Sequence, residues 1–81
     1  MESKWTVYLL RCKDDTLYCG ITNDLDNRLE MHRSGKGAKY TRGRSPLELV
    51  YTESCDDKSA ALKRERAIKS RPRQKKLELI K

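Results

Sequence analysis

Two polar side chains of the first predicted helix lie four residues apart and could act together on a phosphate group. Arg28 and His32 share one helical face, beside the stripe formed by Leu25 and Leu29. A guanidinium can bind phosphate oxygens through two parallel hydrogen bonds, and an imidazole can hold or pass a proton near neutral pH. Helical Arg and His are more often ordinary surface residues, so the pair does not define a site by itself.

A carboxylate lies within an apolar stripe of a later predicted helix. Ala61, Glu65 and Ile68 follow the i, i+4, i+7 spacing of a core-facing stripe. Because burying an unpaired carboxylate is costly, we expect a cation beside Glu65, either a basic side chain or a metal ion. The alternative is a residue at the edge of the stripe that pairs with Lys69, an interaction worth only about 0.3–0.5 kcal/mol.

Two tyrosines lie in the middle of neighbouring predicted strands. Tyr8 and Tyr18 fall within the runs 5–11 and 17–22, which are rich in β-forming residues and are separated by a polar turn sequence. A two-residue turn puts the two rings on opposite faces of the sheet, whereas an odd-numbered loop or a bulge puts them on the same face. Mid-strand tyrosines usually serve packing, and the sequence leaves both arrangements open.

The apolar periodicity predicts an α+β fold with element order β-β-α-β-α-α. After Pro46, the alternation of Leu47, Leu49 and Tyr51 with more polar residues predicts a third strand, with these three side chains on one face. We expect a three-stranded antiparallel sheet flanked by helices, formed by a single domain over residues 1–81. The predicted helices span about 24–34, 58–70 and 72–80, the first capped by Asn23 and the second by Asp56 or Asp57.

The charge distribution indicates a polyanionic partner. Lys and Arg number 19 against 12 Asp and Glu, and residues 41–81 carry +6 of the net +7. Such a basic half favours nucleic acid, although a charge run is often only a solvated surface. The predicted nucleic-acid-binding residues are Lys36, Lys39, Tyr40, Arg42 and Arg44 in a basic loop, and Lys69, Arg71, Arg73, Lys75 and Lys76 near the C-terminal end.

Cysteine usage and hydropathy favour a soluble, cytoplasmic protein with no membrane partner. The chain has three cysteines, an odd number that suits reduced thiols better than a disulfide framework. No apolar run approaches the ~20 residues needed to span a bilayer, and no secretory leader is apparent. A zinc site formed by Cys12, Cys19, Cys55 and His32 is an open alternative, although no closely spaced Cys pair supports it.

In chain order, these residues resemble the GIY-YIG endonuclease superfamily, in particular its short stand-alone bacterial members. The resemblance extends from Trp5 to about Ile80, and its motifs are specific only in combination. They are Thr6-Val7-Tyr8, Tyr18-Cys19-Gly20, Thr22-Asn23-Asp24-Leu25, Arg28-Leu29, His32, Tyr40-Thr41, Pro46-Leu47 and Glu65.

The resemblance implies hydrolysis of phosphodiester bonds in DNA, including structured or damaged DNA, with one divalent metal ion, Mg²⁺ or Mn²⁺. Glu65 would bind the metal and Arg28 the phosphate. Tyr18 would act as the base with help from His32, while Tyr8 would orient the attacking water. Because residues 1–81 leave no room for a separate targeting domain, we expect any specificity to come from DNA structure or a partner protein, or the cleavage to have none.

The chain departs from the family pattern at two points. Thr6 replaces the glycine of the first signature, and the only asparagines are Asn23 and Asn27, whereas many active members carry an asparagine late in the domain. The alternative function is therefore a non-catalytic nucleic-acid-binding module on the same scaffold. Its binding would weaken steeply with salt.

Overall fold

The predicted element order and sheet are confirmed by the computed structural model, which describes residues 4–34 and 47–80. The strands β1 (Trp5–Arg11), β2 (Leu17–Thr22) and β3 (Glu48–Cys55) form one antiparallel sheet in the order β2-β1-β3. The helices are α1 (Leu25–Arg33), α2 (Lys58–Lys69) and α3 (Arg73–Ile80). The predicted basic loop, with Lys36, Lys39, Tyr40, Arg42 and Arg44, lies outside the described residues.

The β1–β2 hairpin is closed by a three-residue loop. The Cys12 N–H donates to the Thr16 carbonyl at 2.8 Å, and the Asp15 N–H donates to the Cys12 carbonyl at 2.9 Å. Asp15 has a φ of 65°, the left-handed conformation that commonly ends a three-residue hairpin loop. Aspartate tolerates this conformation better than most residues because its short polar side chain can hydrogen-bond locally.

The odd loop length decides the facing of the two tyrosines. It sets a register in which Tyr8 lies opposite Gly20 and Leu10 lies opposite Tyr18. Because side chains two residues apart share a face, Tyr8 and Tyr18 lie on the same side of the sheet.

Each face of the sheet has its own hydrophobic cluster. One cluster, which we call the α1 face, contains Tyr8, Leu10 and Leu29 and packs the sheet against α1. The opposite side, the α2 face, packs against α2, and its buried members are Val7, Leu9, Cys19, Ala61 and Ile68. Burial of two separate faces lets this short chain form a sheet with helices on both sides.

A bulge in β3 makes the predicted single alternation of the third strand wrong. Leu9 pairs with Tyr51 and Leu10 pairs with Leu49, so Val50 is an extra residue in β3. After the bulge, alternate side chains of β3 point to the opposite side of the sheet from those before it. Leu47 and Leu49 therefore pack on the α1 face, while Tyr51 packs on the α2 face.

Both long helices begin with an aspartate cap. Asp24, not the predicted Asn23, caps α1 and accepts a hydrogen bond from the Asn27 N–H at 3.3 Å. Asp57 caps α2 and accepts from the Ala60 N–H at 2.8 Å. In both cases the carboxylate accepts a hydrogen bond from the backbone N–H three residues later, which would otherwise have no partner at the start of the helix. Within residues 4–34 and 47–80, no helix is long and apolar enough to cross a membrane.

Replacement of Asp15 tests whether the left-handed residue defines the hairpin. We expect Asp15→Val to lower the free energy of unfolding by about 1–2 kcal/mol, since a β-branched residue is strained at this φ. Asp15→Asn removes the same charge but tolerates the conformation, so it should stay within about 0.5 kcal/mol of the parent. Urea denaturation measures both, and equal losses would contradict the backbone explanation.

Candidate active site

Four of the five predicted catalytic residues come together on the α1 face. Tyr8 and Tyr18 project from β1 and β2, and α1 lies across this face with Arg28 and His32. The Tyr8 hydroxyl lies 2.9 Å from His32 Nε2. The Tyr18 ring centroid is 5.4 Å from that of His32 and 6.4 Å from that of Tyr8. We call these four residues the Arg28 cluster.

The hydrogen bonds of the Arg28 cluster have a consistent direction. Tyr8 and Tyr18 both raise the pKa of Arg28, so the guanidinium lies close to their hydroxyls, and because a guanidinium can only donate, it presents N–H groups to the Tyr8 oxygen. Tyr8 is therefore oriented to donate its own hydroxyl proton to His32 Nε2, 2.9 Å away.

The surroundings of three members of the cluster keep each of them in a defined charge state. Burial raises the pKa of Tyr8, against a smaller lowering effect of the Arg28 hydrogen bond. Burial and the nearby Arg28 charge lower the pKa of His32. The hydrogen bond to Tyr8 raises the pKa of Arg28. Near neutral pH the cluster therefore holds a neutral phenol at Tyr8, a neutral imidazole at His32 and one fixed positive charge.

The guanidinium of Arg28 has unused hydrogen-bonding capacity. Its Nε is buried and has no hydrogen-bond partner among the described residues. Arg28 also forms no ion pair within residues 4–34 and 47–80. Because a buried donor without a partner is costly, an anion that accepts from this Nε would be bound favourably.

Gly20 makes room for the Tyr8 hydroxyl. A Cβ at this position would lie 2.5 Å from the Tyr8 hydroxyl oxygen and 2.7 Å from Tyr8 Cζ. Any larger residue would therefore push the Tyr8 ring away from its hydrogen-bonding position. In the sequence, Gly20 is recognisable only as part of the Tyr18-Cys19-Gly20 motif. Its steric role becomes apparent once the register places it directly opposite Tyr8.

Glu65, the fifth predicted residue, lies on the other side of the sheet. It projects from α2 with 19% of its side chain exposed, and its Oε2 is 3.3 Å from Lys69 Nζ. Of the two alternatives for its partner, the structure shows this lysine. Burial raises the pKa of the Cys19 thiol to about 11, and the negative charge of Glu65 contributes to the increase. Glu65 therefore lies beside β2, where Cys19 faces α2.

The position of Glu65 is compatible with a divalent metal at the edge of the sheet. β2 is an edge strand, and its neighbouring residues Tyr18 and Cys19 face opposite sides of the sheet. Tyr18 belongs to the Arg28 cluster and Cys19 to the α2 face, so the two environments lie close together across this strand. Mg²⁺ is commonly held by one or two carboxylates and keeps several waters. A single half-buried carboxylate suits this mode of binding, and the described residues contain no group of three or more His, Cys, Asp or Glu side chains for a protein-enclosed ion.

Several of the predicted nucleic-acid-binding cations are already paired. Lys69 pairs with Glu65, Arg73 with Asp15 at 3.0 Å, and Lys75 with Glu78 at 3.8 Å. In the described part of the chain, Arg71 and Lys76 form no ion pair. The positive charge predicted from the sequence is thus partly neutralised within the fold.

The sheet separates the cysteines of the alternative zinc site. Cys12 belongs to the cluster on the α1 face, whereas Cys19 and Cys55 belong to the α2 face. All three are free thiols, and His32 is hydrogen-bonded to Tyr8. This arrangement does not assemble a four-ligand zinc site from these residues.

Comparison with known proteins confirms the family resemblance. Residues 4–78 match the GIY-YIG catalytic domain, which characterises a nuclease family whose members generally depend on divalent metal ions. A UPF0213 protein of Oceanobacillus iheyensis is 52% identical over 80 residues, covering 99% of this chain and 93% of that protein. A UPF0213 protein of Natronomonas pharaonis is 55% identical, covering 99% and 94%.

A solved structure supports the same relationship. The solution NMR structure of a UPF0213 protein from Bacillus halodurans superposes with a TM-score of 0.62 at 47% sequence identity. The match covers 95% of this chain and 82% of that one. The name UPF0213 states no activity.

Gly20→Ala tests whether this glycine positions Tyr8. We expect the added Cβ to displace the hydroxyl and break the Tyr8–His32 hydrogen bond, with a stability loss of about 1–3 kcal/mol from overpacking. ¹⁵N NMR of the single imidazole reports the bond directly. Tyr8→Phe serves as the reference, because it removes the hydroxyl without adding volume. In the Tyr8→Phe background, where the hydrogen bond is already absent, Gly20→Ala should change the His32 signals much less than it does in the parent. Native His32 signals in folded Gly20→Ala would refute the steric role.

The buried imidazole predicts a pH dependence of stability. His32 has a pKa below its ordinary 6.5 in the folded state, so the unfolded state binds more protons in the window between the two values. The free energy of unfolding should therefore fall as the pH is lowered from about 7.5 to 5.5, above the range of ordinary carboxylate titration. His32→Gln should abolish this dependence, because the chain has only one histidine. Urea denaturation across this range provides the measurement, and an unchanged slope in the variant would rule out His32 as its source.

Proposed function

The chain belongs to the GIY-YIG family, and we propose on that basis that it hydrolyses phosphodiester bonds in DNA with a divalent metal ion, Mg²⁺ or Mn²⁺. The observation that carries this proposal is the Arg28 cluster, in which a guanidinium with an unpartnered buried Nε lies against two tyrosines and a histidine. One fixed cation among neutral groups suits a phosphodiester, which carries one negative charge.

Arg28 would bind the phosphate that is cleaved. Its Nε lacks a partner among the described residues, and phosphate oxygens are strong acceptors. Tyr8 and Tyr18 lie close enough to the guanidinium to raise its pKa and would hold it in place before the substrate arrives. This preorganisation places positive charge where negative charge develops in the transition state.

The two tyrosines would have different roles. Tyr8 is fully buried and its hydroxyl is engaged by Arg28 and His32, so we assign it to holding these two side chains rather than to orienting the water. Tyr18 is only partly buried, lies close enough to Arg28 to raise its pKa and is edge-on to the His32 ring. We therefore keep Tyr18 as the base, assisted by the neutral imidazole of His32 beside it.

Glu65 would hold the metal ion at the β2 edge. The ion, when bound, supplies positive charge beside the phosphate and makes the attacking water easier to deprotonate. Glu65 contributes one oxygen ligand, and Lys69 keeps this carboxylate paired before the metal binds.

A non-catalytic binding module is the second candidate function. The ion pair of Glu65 with Lys69 favours it, because a carboxylate with a structural partner does not require a metal. The two functions differ in their dependence on Glu65, since binding alone should not need this side chain.

Replacement of Glu65 tests the catalytic proposal. We expect the parent protein to nick or degrade DNA in Mg²⁺ or Mn²⁺, and Glu65→Gln to lose about 100-fold or more in cleavage rate while retaining DNA binding. The matched control is Glu53→Gln. Glu53 is also a half-buried carboxylate on the α2 face, 28% exposed and paired with Arg64 at 2.8 Å. This control should cleave at the parental rate, although it removes the charge that pairs with Arg64.

Two outcomes would contradict the proposal. If the purified protein cleaves no form of DNA or RNA with any divalent metal, it is not a nuclease of this kind. If Glu65→Gln and Glu53→Gln lose cleavage equally, the effect comes from disturbed packing at α2. Retained binding without cleavage would instead favour the binding module.

A further inference from the structure

The outward side of α2 carries a group of cations that the Arg28 cluster does not use. Lys63 and Arg66 are exposed on the helix, turned away from Ala61 and Ile68, which pack on the sheet. We call these two cations the outer α2 surface. Lys58, three residues before Ala61, lies nearer the sheet, and its Nζ is 5.4 Å from the centroid of the Trp5 ring.

The outer α2 surface has little negative charge to offset it. The only carboxylate within α2 is Glu65, which is half-buried and paired with Lys69. Lys63 and Arg66 form no ion pair within residues 4–34 and 47–80. Unpaired exposed cations spaced along one helix side suit a row of phosphates.

This surface and the Arg28 cluster point in different directions. The cluster lies beneath α1 on one face of the sheet, whereas α2 covers the other face and presents its outward side beyond it. The fold measures 20 Å across even in its shortest dimension. A straight duplex at one surface cannot also reach the other, and bending DNA sharply enough costs several kcal/mol.

We propose that the outer α2 surface binds the backbone of a second nucleic-acid segment, so that one protein bridges two duplexes. The inference rests on the proposed function for the first segment, held at the Arg28 cluster, and assigns the second to residues outside that site. A membrane surface fits less well. Membrane-bound helices present a broad apolar side, whereas Leu62, 42% exposed, is the only exposed large apolar side chain among the described residues.

Capture of a second duplex tests the proposal. One duplex is immobilised on beads, the protein is added without divalent metal to prevent cleavage, and a labelled duplex is supplied in solution. The salt concentration is about 50 mM, where phosphate contacts are strong. We expect the parent protein to capture the labelled duplex. Lys63→Glu/Arg66→Glu should reduce capture at least about tenfold but change binding to a single duplex by no more than about twofold.

The matched control reverses two exposed cations elsewhere. Lys4→Glu/Lys13→Glu makes the same change in net charge, and both residues are exposed and outside the described ion pairs. This control should capture the second duplex at near-parental level. Circular dichroism confirms that the variants are folded.

Each contrary outcome has a separate meaning. A parent protein that binds one duplex but captures no second one overturns the bridging proposal and leaves the proposed function intact. Bridging that survives Lys63→Glu/Arg66→Glu, or is lost equally in the control, overturns the role of this surface. Loss of all single-duplex binding in Lys63→Glu/Arg66→Glu shows one binding surface instead of two.

Binding of the parent, but not this variant, to anionic phosphatidylglycerol vesicles without duplex capture assigns the surface to lipid. A parent protein that binds no duplex overturns the proposed function as well.

Discussion

The buried hydroxyl of Tyr8 is the constraint on which the rest of the site depends. Tyr8 is fully buried, and a buried hydroxyl without partners would cost several kcal/mol. It is satisfied because α1 crosses the sheet where His32 Nε2 lies 2.9 Å from the oxygen and the Arg28 guanidinium is close by. The position of α1, with its Arg28 and His32 side chains against the sheet, follows from satisfying this one group.

The backbone of the hairpin makes that arrangement possible. The three-residue loop puts Tyr8 and Tyr18 on one face and places Gly20, the residue without a Cβ, directly opposite Tyr8. A two-residue loop would shift the register by one and turn Tyr18 toward α2. The left-handed conformation of Asp15 in the turn therefore helps to determine which side chains meet in the candidate active site.

Much of this arrangement was predictable from the sequence, and the failures have physical causes. The apolar periodicity predicted the elements, and the i, i+4 spacing predicted that Arg28 and His32 project together. The loop length was not predictable, because the turn sequence is compatible with either a two- or a three-residue loop. The β3 bulge left no sequence signal, so Tyr51 was placed on the wrong face. Tertiary ion pairs such as Arg73 with Asp15 join residues 58 positions apart and cannot be inferred from local spacing.

The two sides of the sheet have different electrostatic characters. On the α1 face, one guanidinium lies among groups that burial keeps neutral, which favours a single phosphate. On the α2 face, Glu65 and Glu53 are each paired with a basic side chain of α2, whereas Lys63 and Arg66 are exposed on the outer side of the helix. The edge strand β2 is where these two environments come closest, since Tyr18 and Cys19 are neighbours there.

The central claim is that the unpartnered Nε of Arg28 receives a phosphate oxygen of nucleic acid. NMR observation of the Arg28 Nε–H signal during titration with a short DNA duplex, in Ca²⁺ to limit cleavage, tests it most directly. The structure predicts a saturable shift of this signal together with the His32 imidazole signals. A duplex that binds and shifts only the signals of α2 and α3 while Arg28 Nε–H stays unchanged would contradict the account.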